Sequence, residues 1–174
     1  MNVDFYEKIW MWLAAAIVVL FLGLVGASTF AEGIRPPSHV ETIDPSKVFQ
    51  DPRFSRIGTP TELPDGTIEV QVAVIMFAFV PNEIRVPPGR RIRFRMTSAD
   101  VTHGFMIAGT NANTMIVPGY ISQFTTVFDA PGDLLLVCHE FCGNGHHAMH
   151  GRVIVDPNAP VAKASGASHQ EAHQ

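Results

Sequence analysis

An all-β sandwich or barrel behind one N-terminal membrane-spanning helix is the architecture this sequence predicts, and three observations predict it. Apolar and other residues alternate at period two, with Ile68, Val70, Val72 and Val74 set against Glu69, Gln71 and Ala73, and Ile92, Phe94 and Met96 set against Arg91, Arg93 and Arg95. Turn signals recur at Pro64-Asp65-Gly66, Pro87-Pro88-Gly89, Pro118-Gly119 and Pro131-Gly132-Asp133, where proline and glycine dihedrals break the strands at short intervals. Residues 9–31 form a 23-residue run without a formal charge.

At about 1.5 Å per residue that run crosses a hydrocarbon core of about 30 Å, so residues 1–32 are read as a transmembrane anchor. Trp10 and Trp12 stand near its start, where indole rings favour the membrane interface. A cleaved secretory signal is the competing reading, because Ala27-Ser28-Thr29-Phe30-Ala31 is rich in small residues. Against it, the run is long and Asp4 and Glu7 offset Lys8 ahead of it. Lys8 and Arg35 nearly balance under the positive-inside rule, but oxidisable thiols suit an extracytoplasmic domain. The expectation is therefore a single-pass protein of the cell (inner) membrane, with its N-terminus cytoplasmic and its domain periplasmic.

Six prolines between residues 33 and 66, with no sustained apolar period, predict a linker carrying a short helical turn near Pro45 to Phe49. Residues 67–156 form the β domain, with further strands expected over 84–86, 123–128, 134–137 and 152–155. Residues 157–174 are rich in Ala, Ser, His and Gln and are assigned to a disordered tail, where His169 and His173 are solvated. A formal charge of −4 over 174 residues gives no reason to expect a nucleic-acid partner.

The chemistry concentrates in residues 138–149, Cys138-His139-Glu140-Phe141-Cys142-Gly143-Asn144-Gly145-His146-His147-Ala148-Met149, which hold both cysteines of the chain. Thiolate, imidazole and thioether form a soft ligand set that suits copper far better than calcium or magnesium. On a helix, Cys138, Cys142 and His146 would spread over roughly 12 Å, too far to converge on one small centre. Gly143 and Gly145 allow the segment to curl into a ligand loop instead. A Cys138–Cys142 disulfide is possible by spacing, but leaves His146 and Met149 unexplained. Structural zinc has no use for the methionine, and a mononuclear blue-copper site has no use for the second cysteine. Upstream, His103 follows the strand that ends near Met96, at a loop entrance that could face the ligand loop across the sandwich. A lone histidine is more often structural.

Asp100-Val101-Thr102-His103-Gly104-Phe105, followed by Cys138-x3-Cys142-x3-His146-x2-Met149, resembles the binuclear copper (CuA) signature of cytochrome c oxidase subunit II. With the anchor and the strand pattern, the likeness covers about residues 5–156. The single leading helix is similar to the compact subunit II of B-type haem-copper oxidases. The resemblance implies a cupredoxin-like Greek-key fold in which Cys138 and Cys142 bridge two coppers. His103 and His146 would each bind one copper, Met149 would be a weak axial ligand, and the Glu140 carbonyl would complete the other side. It further implies one-electron transfer from cytochrome c, or another soluble donor, to the haems of subunit I, where oxygen is reduced. The copper subunit of a nitric oxide reductase would share every ligand, and a membrane-anchored copper carrier is a reading from another class.

Around these ligands, Asp100 is a candidate to orient an imidazole, or a turn aspartate. The Glu140 carboxylate is at the place where many family members hold magnesium or manganese against subunit I, although compact members can lack that ion. Phe77 and Phe79 occupy the place of the family's aromatic electron-accepting surface, and are read either as donor contacts or as core residues. The chain from Pro36 onward has ten basic and thirteen acidic residues, a balance of −3, which favours an apolar docking patch over strong electrostatic capture. His139 and His150 are read as exposed or interfacial, and His147 is open to exchange roles with His146. Arg90, Arg91, Arg93 and Arg95 are read as a solvated basic strand edge.

Overall fold

The computed structural model describes residues 4–31 and 41–164, so the first part of the expected linker, His169 and His173 lie outside the described residues. The chain divides into two units, an N-terminal one and the domain from residue 40 onward. The first holds α1 (Phe5–Ala31), whose Phe5–Ala27 stretch is long and apolar enough to cross a membrane. Its described side chains are apolar around the full circumference beyond Lys8, as lipid requires of a span and water does not.

The second unit is a two-sheet sandwich. One sheet contains β1 (Thr61–Glu62), β2 (Ile68–Ile75), β3 (Ala78–Val80), β5 (Arg91–Ser98), β8 (Ser122–Val127) and β11 (Ala162–Lys163), ordered β11-β1-β2-β5-β8 with β3 on the end of β2. The other is ordered β4-β10-β9-β6-β7, from β4 (Glu83–Val86), β6 (His103–Ile107), β7 (Asn113–Ile116), β9 (Gly132–Val137) and β10 (His150–Val155). The period-two residues Ile68, Val70, Val72, Val74, Ile92, Phe94 and Met96 face inward, against Ile84, Val86, Phe105, Ile107, Leu136, Val153 and Val155. Phe94 sits at the centre of this core, 5.3 Å from Phe124 and 5.4 Å from Phe105 between ring centroids.

Three expectations change. β2 is buried on both faces rather than one, because residues 41–57 fold over its outer side instead of forming a linker. Two short 3-10 turns, Pro45–Gln50 and Pro52–Phe54, carry Val48 and Phe54 onto Ala73, with Ile43 and Ile121 beside them. Asp44 and Asp51 cap these turns by accepting from the backbone N–H of Ser46 and Arg53. The buried polar side chains of β2 are satisfied in the same layer. Gln71 donates to Glu69 at 3.1 Å and accepts from the Arg56 N–H at 3.0 Å.

The arginine strand is likewise not a free basic edge. β5 is flanked by β2 and β8, Arg95 is only 9% exposed, and its guanidinium pairs with Glu41 of the covering segment. Arg90 pairs with Glu62, and Arg93 lies 3.7 Å from Asp65. Finally, order extends past residue 156. β11 pairs in parallel with β1, at Thr61 to Ala162 and Glu62 to Lys163, so part of the tail assigned from residue 157 belongs to a sheet. Its backbone groups gain ladder partners there that the polar composition did not advertise.

If residues 41–57 are an integral layer, Phe54→Ala should destabilise the domain by about 3 kcal/mol in denaturant unfolding monitored in detergent. A linker residue would cost less than about 0.5 kcal/mol.

Candidate metal centre

Residues 138–149 are the connection between β9 and β10. Those strands pair antiparallel with Val137 opposite His150, and the Cys138 N–H donates to the Met149 carbonyl at 3.3 Å. Two residues eleven apart in sequence are thereby fixed side by side. β6 pairs with the other edge of β9, with Met106 opposite Val137, which carries His103 to the same end of the same sheet. His103 is the first residue of β6 and lies beside the ligand loop within one sheet, not across the sandwich from it.

The loop curls as its glycines allow, but the two act differently. Gly143 has φ +126°, a conformation that side chains with a Cβ rarely adopt. Gly145 has an ordinary φ of −90° and is needed for space, since a Cβ there would lie 2.5 Å from Cδ2 of Phe77. A short 3-10 turn, His146–Ala148, then returns the chain to β10.

The donor atoms converge. The ligand atoms of His103, Cys138 and Cys142 all lie within 4.8 Å of one another, and all three residues are buried. The Sγ atoms of Cys138 and Cys142 are 3.9 Å apart, close to the roughly 3.8 Å expected when two sulfurs share one cation through bonds of about 2.3 Å at a tetrahedral angle. Both are free thiols, and that separation is far beyond a disulfide bond of about 2.05 Å. Nδ1 of His103 is 3.9 Å from Cys138 Sγ, and Nδ1 of His146 is 3.6 Å from Cys142 Sγ. Met149 Sδ lies 3.6 Å from Cys142 Sγ, and the Glu140 carbonyl oxygen lies 3.2 Å from Cys138 Sγ. The structure brings His103, Cys138 and Cys142 together as a buried cluster, with His146, Met149 and the Glu140 carbonyl against its two thiols. Its thiol, imidazole and thioether chemistry fits copper.

Asp100 fixes one side of it. Its Oδ1 accepts from Nε2–H of His103 at 2.8 Å, which directs the Nδ1 lone pair toward Cys138. The same carboxylate accepts from the backbone N–H of Val101 and, through Oδ2, from that of Met76, both at 2.6 Å. Burial raises the Asp100 carboxyl, but the hydrogen bonds from His103, Met76 and Val101 outweigh it and hold the group below its ordinary value. Burial, with the hydrogen bond and charge of Cys138 adding to it, pushes the Cys142 thiol up to about 11. The backbone N–H of Gly104 donates to Cys138 Sγ at 3.4 Å, a contact that stabilises negative charge on that sulfur.

The surrounding residues separate by role. Phe79 is 1% exposed and packs edge-on against Phe105, 5.8 Å between centroids, so it is a core residue and leaves the candidate electron-accepting surface. Phe77 is 40% exposed and lies over Gly143 and Gly145 of the ligand loop. Sequence reasoning missed Phe141, which is 73% exposed and meets the His146 ring edge-on at 5.9 Å. It also missed Met76, whose backbone ties the Phe77 segment to Asp100. The position of Phe141 inside the Cys138-x3-Cys142 motif was the available signal. His146 rather than His147 approaches a thiol, while His139 is exposed with Nε2 3.3 Å from the Thr114 carbonyl.

A family model described as cytochrome C oxidase subunit II, periplasmic domain, matches residues 62–156. The chain belongs to the cytochrome c oxidase subunit II family. Within it, a cytochrome c oxidase subunit 2 of Thermus thermophilus is 34% identical over 86% of this chain and 91% of its own length. A second cytochrome c oxidase subunit 2 from the same species is 35% identical over 74% of this chain and 96% of its own. A chain from a cryo-EM structure of a heme-copper terminal oxidase dimer superposes with a TM-score of 0.66 at 32% identity, covering 87% of this chain and 99% of that one. The two-sheet domain is cupredoxin-like and is that of a haem-copper oxidase subunit II, and the apolar α1 ahead of it in sequence fits a single-pass membrane protein.

Two outcomes follow from the thiol and imidazole geometry. Replacing His146 by alanine should lower the copper retained by the full chain, measured by metal analysis after gel filtration, whereas His147→Ala should retain the wild-type content. Because a Cys142 thiol at about 11 must lose its proton to ligate, the apparent copper affinity of the metal-free protein should rise with pH. Each thiol proton released contributes about tenfold per pH unit below that pKa, read by chelator competition.

Proposed function

We propose that this subunit receives electrons from cytochrome c at a binuclear copper centre and passes them to the haems of subunit I, where oxygen is reduced. The observation that carries the reading is the thiol pair of Cys138 and Cys142, 3.9 Å apart and flanked at opposite ends by Nδ1 of His103 and Nδ1 of His146. A single tetrahedral cation would leave part of this donor set unused, since two thiolates, two imidazoles, a thioether and a carbonyl exceed its four positions. Cys138, Cys142, His103, His146, Met149 and the Glu140 carbonyl would hold a pair of coppers, which would supply one-electron chemistry there.

The chain's own residues serve that exchange by holding still. The β9–β10 pairing fixes Cys138 against Met149, Asp100 holds His103, and Phe77 covers the loop backbone at Gly143 and Gly145. Ligands that are already in place need little rearrangement when the charge changes. The chain conducts electrons and does not itself reduce oxygen. Met76, Phe77 and Phe141 are exposed beside the loop and make an apolar landing for a soluble donor, in keeping with the small net charge. The membrane arrangement consistent with this role places the N-terminus of α1 in the cytoplasm and the copper domain in the periplasm.

A magnesium or manganese ion held against subunit I would draw one carboxylate from this chain, Glu140, and its other oxygens from water and the partner.

EPR with metal analysis of the full chain tests the centre. Two coppers per chain sharing one unpaired electron are expected, whereas one copper, or zinc, would overturn the binuclear reading.

A further inference from the structure

The copper centre opens to solvent through a cleft lined by Leu135, Val137, Cys138, His146, His147, Met149 and His150. At its buried end are a thiol and a thioether of the centre, Cys138 and Met149. On its exposed side are two imidazoles that the centre does not use, His147 and His150. Their chemistry is not neutral to a passing cation. Nδ1 of His150 lies 2.9 Å from the Ala148 carbonyl, so Nδ1–H donates there and the lone pair is left on Nε2. A backbone carbonyl fixing one ring nitrogen in this way is the arrangement that prepares the other to ligate a metal. His147 follows the ligand His146 directly and makes no hydrogen bond among the described residues, so both of its nitrogens are open to solvent or to a cation.

We propose that His147 and His150 form an accepting station for copper(I) at the mouth of this cleft, from which the cation passes to Cys138 and Met149 within it. The inference rests on the copper reading of the centre. Transfer is ligand exchange without a change of oxidation state. A bond from copper(I) to an imidazole nitrogen breaks, a bond to Cys138 Sγ forms, and the thiol proton leaves to solvent. Met149 supplies a neutral sulfur that can hold the cation while the thiol deprotonates. A station is needed because both thiols are buried, so a copper ion reaching them directly from water would have to shed its ligands before new ones are ready.

Copper(I) uptake by the metal-free full chain in detergent, supplied from a weak chelator and followed by stopped-flow absorbance, tests this. In His147→Ala/His150→Ala the uptake rate should fall by about tenfold, while the final copper content stays at the wild-type level, which also shows that the variant is folded. An unchanged rate would overturn the station, and so would a lost final content, because the histidines would then belong to the centre or to the fold. A second measurement removes the centre itself. Cys138→Ser/Cys142→Ser should still bind one copper(I) by chelator competition, and adding His147→Ala/His150→Ala should weaken that binding by about tenfold. Failure of the wild-type chain to take up copper would instead defeat the copper reading on which the station depends.

Discussion

Because β9 and β10 pair up to Val137 and His150, the two ends of the ligand loop leave the sheet as neighbours and cannot separate without breaking the ladder. The chain between them must then fold back within a short compass, and it does so with one positive-φ glycine and one 3-10 turn. β6, paired to the other edge of β9, adds His103 from 35 residues upstream of Cys138 at almost no further entropic cost, since its strand is already ordered by the core. The centre is thus a consequence of sheet pairing, and the sandwich core behind it is what makes the pairing rigid. Phe94, Phe105 and Phe124 lock the sheets together directly beneath that end of the fold.

Electrostatics makes the same arrangement dependent on a cation. Two thiols at 3.9 Å cannot both ionise in a buried site without a positive charge between them, and burial, with the hydrogen bond and charge of Cys138 adding to it, already raises the Cys142 thiol. The neighbours lower the cost on one side only. Gly104 donates an N–H to Cys138, and Asp100, held ionised by its hydrogen bonds, orients His103 and would balance positive charge that a metal brings. Asp100 also receives the Met76 N–H, so the segment that carries Phe77 over the 138–149 loop is anchored to the carboxylate that holds His103. Surface segment and buried imidazole are therefore positioned by one group.

The cluster was legible in the sequence because soft-metal chemistry narrows the residue types so far that Cys138, Cys142, His146 and Met149 stand out as a set. The inner faces of β2 and β5 were legible because Ile68 to Val74 and Ile92 to Met96 alternate strictly. What covers their outer faces was not. Glu69, Gln71 and Arg95 read as solvent-facing residues, and their burial depends on a layer whose own apolar anchors, Ile43, Val48 and Phe54, are too sparse to show a period. β6 was hidden for a related reason. His103-Gly104 gives no alternation, and the strand is identified by its pairing with β7 and β9. Phe77 and Phe79 show the limit of local pattern most simply. Two residues apart in sequence, both on paper aromatic candidates for the surface, one reaches the ligand loop and the other the core, and only the tertiary placement of β3 separates them.

The centre is finally asymmetric, and this governs how it can be reached. His103 is completely buried, whereas His146 is partly exposed beneath the outward ring of Phe141. A protein surface settling on Phe141 and Phe77 comes within one side chain of His146, while His103 presents no surface of its own. Metal approaching through the cleft meets Cys138 and Met149 by way of His146, His147 and His150, again on the exposed side. The buried side, with Asp100 behind His103, is left as the fixed frame against which the exposed ligands work. Approach from one face and rigidity on the other both follow from placing a ligand loop at the open end of a sheet whose remaining strands are sealed by the core.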